Sequence, residues 1–231
     1  MSPGPSFDIC VRGAGAVALT AALCLGRRGL SVALLPAPPD GGAQAARRAD
    51  VRAYALNAAS VALLQSLRVW EALPADARTP VLDMRIEGGA PGAVLQFSAW
   101  QDAVEALAWI VDAAELEAAL HAAVRFAPHV HGIPGGEHAA EPPAALRVLA
   151  EGRDSASRAT LGVTMAPRGY GQRAIAARLR ADRPHAGLAR QWFRSPDVLA
   201  LLPFDRPQPG HGYALVWSLP DARAEELLAL P

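Results

Sequence analysis

The stretch Asp8-Ile9-Cys10-Val11-Arg12-Gly13-Ala14-Gly15-Ala16-Val17-Ala18 constrains this chain more than any other part of it. Residues 9–11 form a short β-prone run, and an apolar helix-like stretch then reaches Leu25. Arg27 and Arg28 follow where cations suit a helix C-terminus, with Gly29 as a stop. Residues 31–35 make a second apolar, partly β-branched run. Strand, glycine turn, helix and strand within about thirty residues is the context that a dinucleotide fingerprint requires. Gly13 permits a tight turn, and Gly15 lacks the Cβ that would keep a pyrophosphate from the backbone. Ala18 takes the third position, where a small residue lets helix and strand pack closely. The helix start offers unpaired N–H groups and a positive dipole end to phosphate.

One element of that fingerprint is replaced. The second strand is expected to end in an acid that accepts the ribose hydroxyls, but it reads Leu34-Leu35-Pro36. Asp40, four residues beyond Pro36, is a turn residue or a substitute for that acid.

Composition narrows the function classes. The chain has 231 residues, with 22 basic and 22 acidic side chains. All the basic residues are arginines, dispersed with no basic face interleaved with aromatics, which argues against nucleic-acid binding. Two cysteines, Cys10 and Cys24, cannot frame a disulfide scaffold and are expected as buried thiols. His129, His131 and His138 share a loop at irregular spacing and predict no metal site. No apolar run reaches the roughly 18 residues of a membrane span, and the flanks of residues 13–26 are wrong for a signal peptide. The expectation is a cytoplasmic protein with no transmembrane segment, at most peripheral to a membrane.

Beyond the first βαβ unit, residues 50–60 lead into a helix through Val61, Leu64 and Leu67 that ends near Trp70 and Leu73. Residues 81–87 and 93–98 read as strands around a Gly/Pro turn. Leu116, Leu120 and Val124 predict a helix over 113–124, and residues 127–145 read as loop. Residues 146–150 make a short strand, and four runs between 173 and 218 read as an antiparallel sheet. Ser218 is the expected cap of a final helix, with Pro220 in its first turn.

Four segments together resemble the FAD-dependent aromatic hydroxylases, in their ubiquinone-biosynthesis branch. They are "DICVRGAGAVALTAALCLGRRGLSVALL", "DVRAYALNAASVALLQSLRVWEAL", "LAEGRDSASRATLGV" and "YGQRAIAARLRADRPHAGLARQWFRSPDVLALLPF…ALVWSLP". They are similar, in order and spacing, to the family's FAD fingerprint, its R-x-x-A-L segment, its A-D-G-x-x-S-x-x-R motif and the strand run of its substrate domain. Arg68 replaces a glycine and Glu151 an aspartate.

The resemblance implies an α/β fold: an incomplete Rossmann-like FAD-binding domain over 5–80 and 105–160, and a mainly antiparallel substrate-side sheet over 81–104 and 161–218. Residues 219–231 would start a helix. The family's later Gly-Asp-Ala-Ala-His segment has no counterpart, because no Gly-Asp pair occurs. The resemblance therefore implies a C-terminally truncated homologue.

It also implies FAD as cofactor, NAD(P)H as reductant, O₂ as co-substrate and an aromatic substrate of the prenylated quinone-precursor kind. Gly13, Gly15 and Ala18 would face the pyrophosphate, Arg52 would lie beside the cofactor, and Glu151 and Gly152 would turn the chain near the nucleotide. Trp192, Phe193 and Trp217 are candidate pocket residues, or fillers of the sheet's core. The flavin does the chemistry in this family, so no protein group is assigned as catalytic. The alternative is an inactive homologue, a partner in a biosynthetic complex or a non-functional fragment. Apolar elements at the first strand predict self-association.

Overall fold

The computed structural model describes residues 6–36, 50–134, 141–153 and 155–230. The chain divides into two units, the first comprising residues 1–49, 66–70 and 116–166, and the second 50–65, 71–115 and 167–231. The domain limits expected at 80/81 and 104/105 fall inside the second unit.

The first unit is built on a parallel sheet. Strand β1 (Phe7–Arg12) lies between β2 (Val32–Leu35) and β9 (Ala144–Leu149), and β8 (Val130–Gly132) extends it beyond β2. All three pairings are parallel, with Cys10 level with Ala33 on one side and Arg147 on the other. Helix α1 (Ala16–Gly26) makes the crossover from β1 to β2. It buries Ala18, Leu19, Ala22 and Leu23, and all four residues of β2 are buried. The loop expected at 127–145 is thus interrupted by β8 and by the start of β9. Three residues are too few for a periodic signal, and only the pairing with β2 defines β8.

In the second unit, β3 (Ala53–Leu56) and β4 (Arg78–Val81) pair antiparallel with β7 (Ala108–Asp112) between them. Helix α2 (Ala58–Ser66) follows β3, and a single 3-10 turn at Trp70–Ala72 ends the region expected to continue it. A six-stranded sheet runs in the order β10 (Gln172–Arg180), β13 (Gly212–Pro220), β12 (Asp197–Pro203), β11 (Leu188–Arg194), β5 (Asp83–Glu87) and β6 (Val94–Ser98). Only the β11–β5 pair is parallel. Ala189, Phe204 and Ala214 pack with Val81 of β4 and Ile110 of β7 into the core of this unit.

Helix α3 (Ala113–Arg125) starts in the second unit and continues in the first, and α4 (Ala156–Thr160) and α5 (Asp221–Leu228) complete the set. Ser218 does not cap α5. The strand continues to Pro220, which takes the cap position, and the Ser218 hydroxyl donates to Gln172 Oε1 at 3.0 Å. Nine consecutive partners on β10 hold β13 extended, which outweighs a local cap worth about 1 kcal/mol.

Candidate nucleotide site and the sheet of the second unit

The parallel strands of the first unit all end at one edge, and α1 begins there. Gly13 has φ +141°, and a Cβ on it would collide with the Ala150 carbonyl at the end of β9. Its amide donates to Leu35 O at 2.8 Å, and Ala150 N donates to Arg12 O at 2.7 Å, so three strand ends are tied around it. Ala18 lies fully buried beneath this turn. Gly15 differs in kind. It caps α1 with φ −85°, no side chain caps the helix, and the place of its missing Cβ is open. The first N–H groups of α1 have no partner within the helix, and no described residue lies within 4 Å of the place a Gly15 Cβ would take. That opening suits an anionic group.

Glu151 and Gly152 follow β9 at the same edge. Gly152 has φ +86° with open space around it. Glu151 is turned inward, with 1% of its side chain exposed. It accepts from Ser155 Oγ, from Ser157 Oγ at 2.8 Å and from Ser157 N at 3.2 Å, and it pairs with Arg12 Nε at 3.1 Å. Burial opposes ionisation, but the serine hydrogen bonds and the Arg12 charge outweigh it and hold this carboxyl below its ordinary value. Both oxygens are spent on the protein. Arg12, at the end of β1, carries the charge that makes a buried Glu151 tenable. Glu141 extends the cluster to Arg147 at 3.3 Å and to the Cys10 thiol at 3.7 Å. Burial first, and the Glu141 charge second, push that thiol up. Cys10 is buried and Cys24 half-buried, both as free thiols.

The strand-end acid is not recovered among the described residues. Pro36 is exposed, and Asp40 lies outside them, as does His138. His129 and His131 are exposed, His131 tilted against Phe7 at 5.6 Å. Among the described residues no group of three His, Cys, Asp or Glu side chains could hold a metal, and no helix is long and apolar enough to cross a membrane.

Arg52 belongs to the second unit, just ahead of β3. Its guanidinium is 57% exposed and forked onto Asp50, with Nη2 to Oδ2 at 2.7 Å and Nε to Oδ1 at 2.9 Å. The Arg52 hydrogen bond, against a smaller opposing effect of burial, holds the Asp50 carboxyl below its ordinary value. How this segment is fixed is not legible locally, because Arg178, which donates to Asp50 O, lies 128 residues further along the chain.

The three aromatic candidates separate. Trp192, Leu199 and Trp217 stand in cross-strand register on one face of the six-stranded sheet, and Phe193 points to the other. The two tryptophans, with Leu199, Leu201, Asp197 and Arg223, line an open cleft of about 530 Å³. Trp217 Nε1 and Arg223 Nη1 both donate to Asp197 Oδ2, at 3.1 and 2.8 Å. Neither tryptophan is fully buried, so this face is not a closed core.

No family model matches the chain. It is 30% identical over 241 aligned positions to ubiquinone hydroxylase UbiL of Rhodospirillum rubrum, covering 97% of this chain and 54% of UbiL. The chain therefore spans about half the length of this curated relative. Its fold matches PqsL from Pseudomonas aeruginosa, described as a probable FAD-dependent monooxygenase, with TM-score 0.71 and 17% identity, over 97% of this chain and 64% of PqsL. It matches p-nitrophenol 4-monooxygenase PnpA of Pseudomonas putida equally well, TM-score 0.71 at 16% identity, over 96% of this chain and 61% of PnpA. In sequence the chain is similar to about half of a ubiquinone hydroxylase, and its fold is that of solved monooxygenases. Its α/β architecture is theirs: a Rossmann-like parallel sheet with a mainly antiparallel second sheet.

Proposed function

We propose that this chain serves as the nucleotide-binding and substrate-sheet portion of a FAD-dependent monooxygenase that hydroxylates an aromatic ring, of the ubiquinone-biosynthesis type, with NAD(P)H as reductant. The observation that carries the reading is the open, side-chain-free N-terminus of α1 at Gly15, set at the carboxyl edge of a parallel sheet.

The residues present fit the phosphate part of such a cofactor. Gly15 would admit the pyrophosphate, and Ala18 and Gly13 would hold the turn beneath it; the resemblance gives Arg52 of the second unit a cofactor-side role of its own, and Asp50 orients its guanidinium. A flavin, when bound, supplies the redox and oxygen chemistry, and the protein supplies position and a dry, polarised surround. Glu151 acts here by holding Arg12 and the turn into α4 rather than by receiving a ligand hydrogen bond.

A second reading, an inactive homologue that partners other proteins, draws support from that inward Glu151 and from Pro36 at the strand end. Each lost charge-assisted hydrogen bond costs about 1.5–3 kcal/mol. Two such losses are expected to weaken FAD binding roughly a hundredfold or more relative to a complete site, by the tenfold per 1.4 kcal/mol rule. Titrating FAD into the purified chain tests both. A micromolar complex followed by NAD(P)H-dependent hydroxylation of an added phenol supports the enzyme, and no uptake at millimolar flavin leaves the partner reading. A nanomolar complex would show that the two losses are compensated.

A further inference from the structure

The three carbonyls that precede β3 converge on one side chain. Arg178 Nη2 donates to Asp50 O at 2.9 Å and to Arg52 O at 3.4 Å, and Arg178 Nε donates to Val51 O at 3.4 Å. Its Nη1 donates to Asp112 Oδ2 at 2.9 Å. The guanidinium carbon lies 5.0 Å over the ring of Phe204, which is fully buried in the core of this unit. Asp112, with 3% of its side chain exposed, also accepts from Arg206 Nη1 at 3.2 Å, and through Oδ1 from the amides of Ala114 and Glu115 at the start of α3. A planar fork with five donors can serve three successive carbonyls and a carboxylate at once, which an ammonium on a flexible stem cannot do. The same segment carries the Asp50–Arg52 fork.

We propose that Arg178, braced by Asp112 and Phe204, is a positioning residue for Arg52. It fixes the backbone of residues 50–52, so that the Arg52 guanidinium is presented in one orientation. This rests on the reading of Arg52 as a cofactor-side cation, but the clamp itself is testable without any ligand. Nothing about Arg178 in the sequence marks it, since it is one of several arginines on β10.

Trypsin reads the clamp directly, because cleavage after Arg52 requires the carbonyls of residues 50–52 to leave the Arg178 guanidinium. Arg178→Met is tolerable for the fold: β10 is an edge strand, and Asp112 keeps Arg206. Cleavage after Arg52, measured against cleavage after Arg223 in the same digest, is expected to accelerate about tenfold or more in Arg178→Met and less in Arg178→Lys. An unchanged ratio overturns the clamp. Asp112→Asn keeps the α3 cap and removes the bracing charge, and it is expected to fall between Arg178→Lys and Arg178→Met.

The cofactor part is read by FAD titration of a double-mutant cycle. The loss caused by Arg178→Met is expected to vanish in the Arg52→Met background. Equal losses in both backgrounds overturn the positioning role. Failure of the unmodified chain to take up flavin overturns the proposed function instead, and the tryptic ratio still decides the clamp.

Discussion

Single residues at the α1 turn divide into those that hold the fold and those that hold nothing. Gly13→Ala would force a side chain into the Ala150 carbonyl at a φ of +141°. It is expected to cost about 1–3 kcal/mol, seen as a lower Tm or loss of soluble protein. Gly15→Ala meets open space at φ −85°, so its melt should be unchanged while any flavin affinity falls. Glu151→Gln removes the charge between Arg12 and two serines and should lower stability at pH 7 by about 2 kcal/mol. The sign with pH follows from the direction of its shift. A carboxyl held below its ordinary value stabilises the fold above the unfolded-state value of 4.5 and loses that contribution as pH falls through its lower folded value. The stability gap between Glu151→Gln and the parent should therefore be full near pH 6 and close toward pH 3, measured by urea melts across that range.

Elements show where sequence is legible. The strand–glycine–helix order at β1 and α1 is a local pattern, and residues 9–25 carry it without help. The strands β10 to β13 announce themselves by apolar runs between turns. β3, β7 and β8 do not, because each is a three- to five-residue segment defined by a partner far along the chain. The candidate site follows the same division. The spacing of Gly13, Gly15 and Ala18 is readable, but the capture of Glu151 by Arg12 and of residues 50–52 by Arg178 joins positions more than a hundred residues apart. Asp112 is the position where most of these long-range demands meet. It caps α3 and balances two arginines with almost no solvent access. Asp112→Ala is expected to destabilise the second unit by about 3–5 kcal/mol, since it strands Arg178 and Arg206 as well as two amides. Chemical denaturation followed by near-UV signal from the tryptophans of that unit measures it.

At the scale of the molecule, apolar surface remains uncovered. In the first unit Leu146, Leu161, Val163 and Met165 are each more than half exposed, and Val17 of α1 is 75% exposed. In the second, Leu95, Phe97 and Phe193 are partly exposed along with the tryptophan cleft. Surfaces of this character associate or are covered by a partner. The chain is therefore expected to run larger than its 24.1 kDa in size exclusion with light scattering, and to shift toward monomer at low concentration. A monodisperse monomer at every concentration would show that these side chains are tolerated singly.

The two glycines of the α1 turn also set different clocks. Gly13 answers to the Ala150 carbonyl, a demand that every folded descendant of this chain inherits whether or not it carries a nucleotide. A side chain at Gly15 would meet no atom of the described residues. In a lineage released from its ligand, drift would fix alanine or serine at position 15 while purifying selection kept glycine at 13. The ratio of substitutions at these two positions among orthologues is thus a record of how long ligand binding has been maintained.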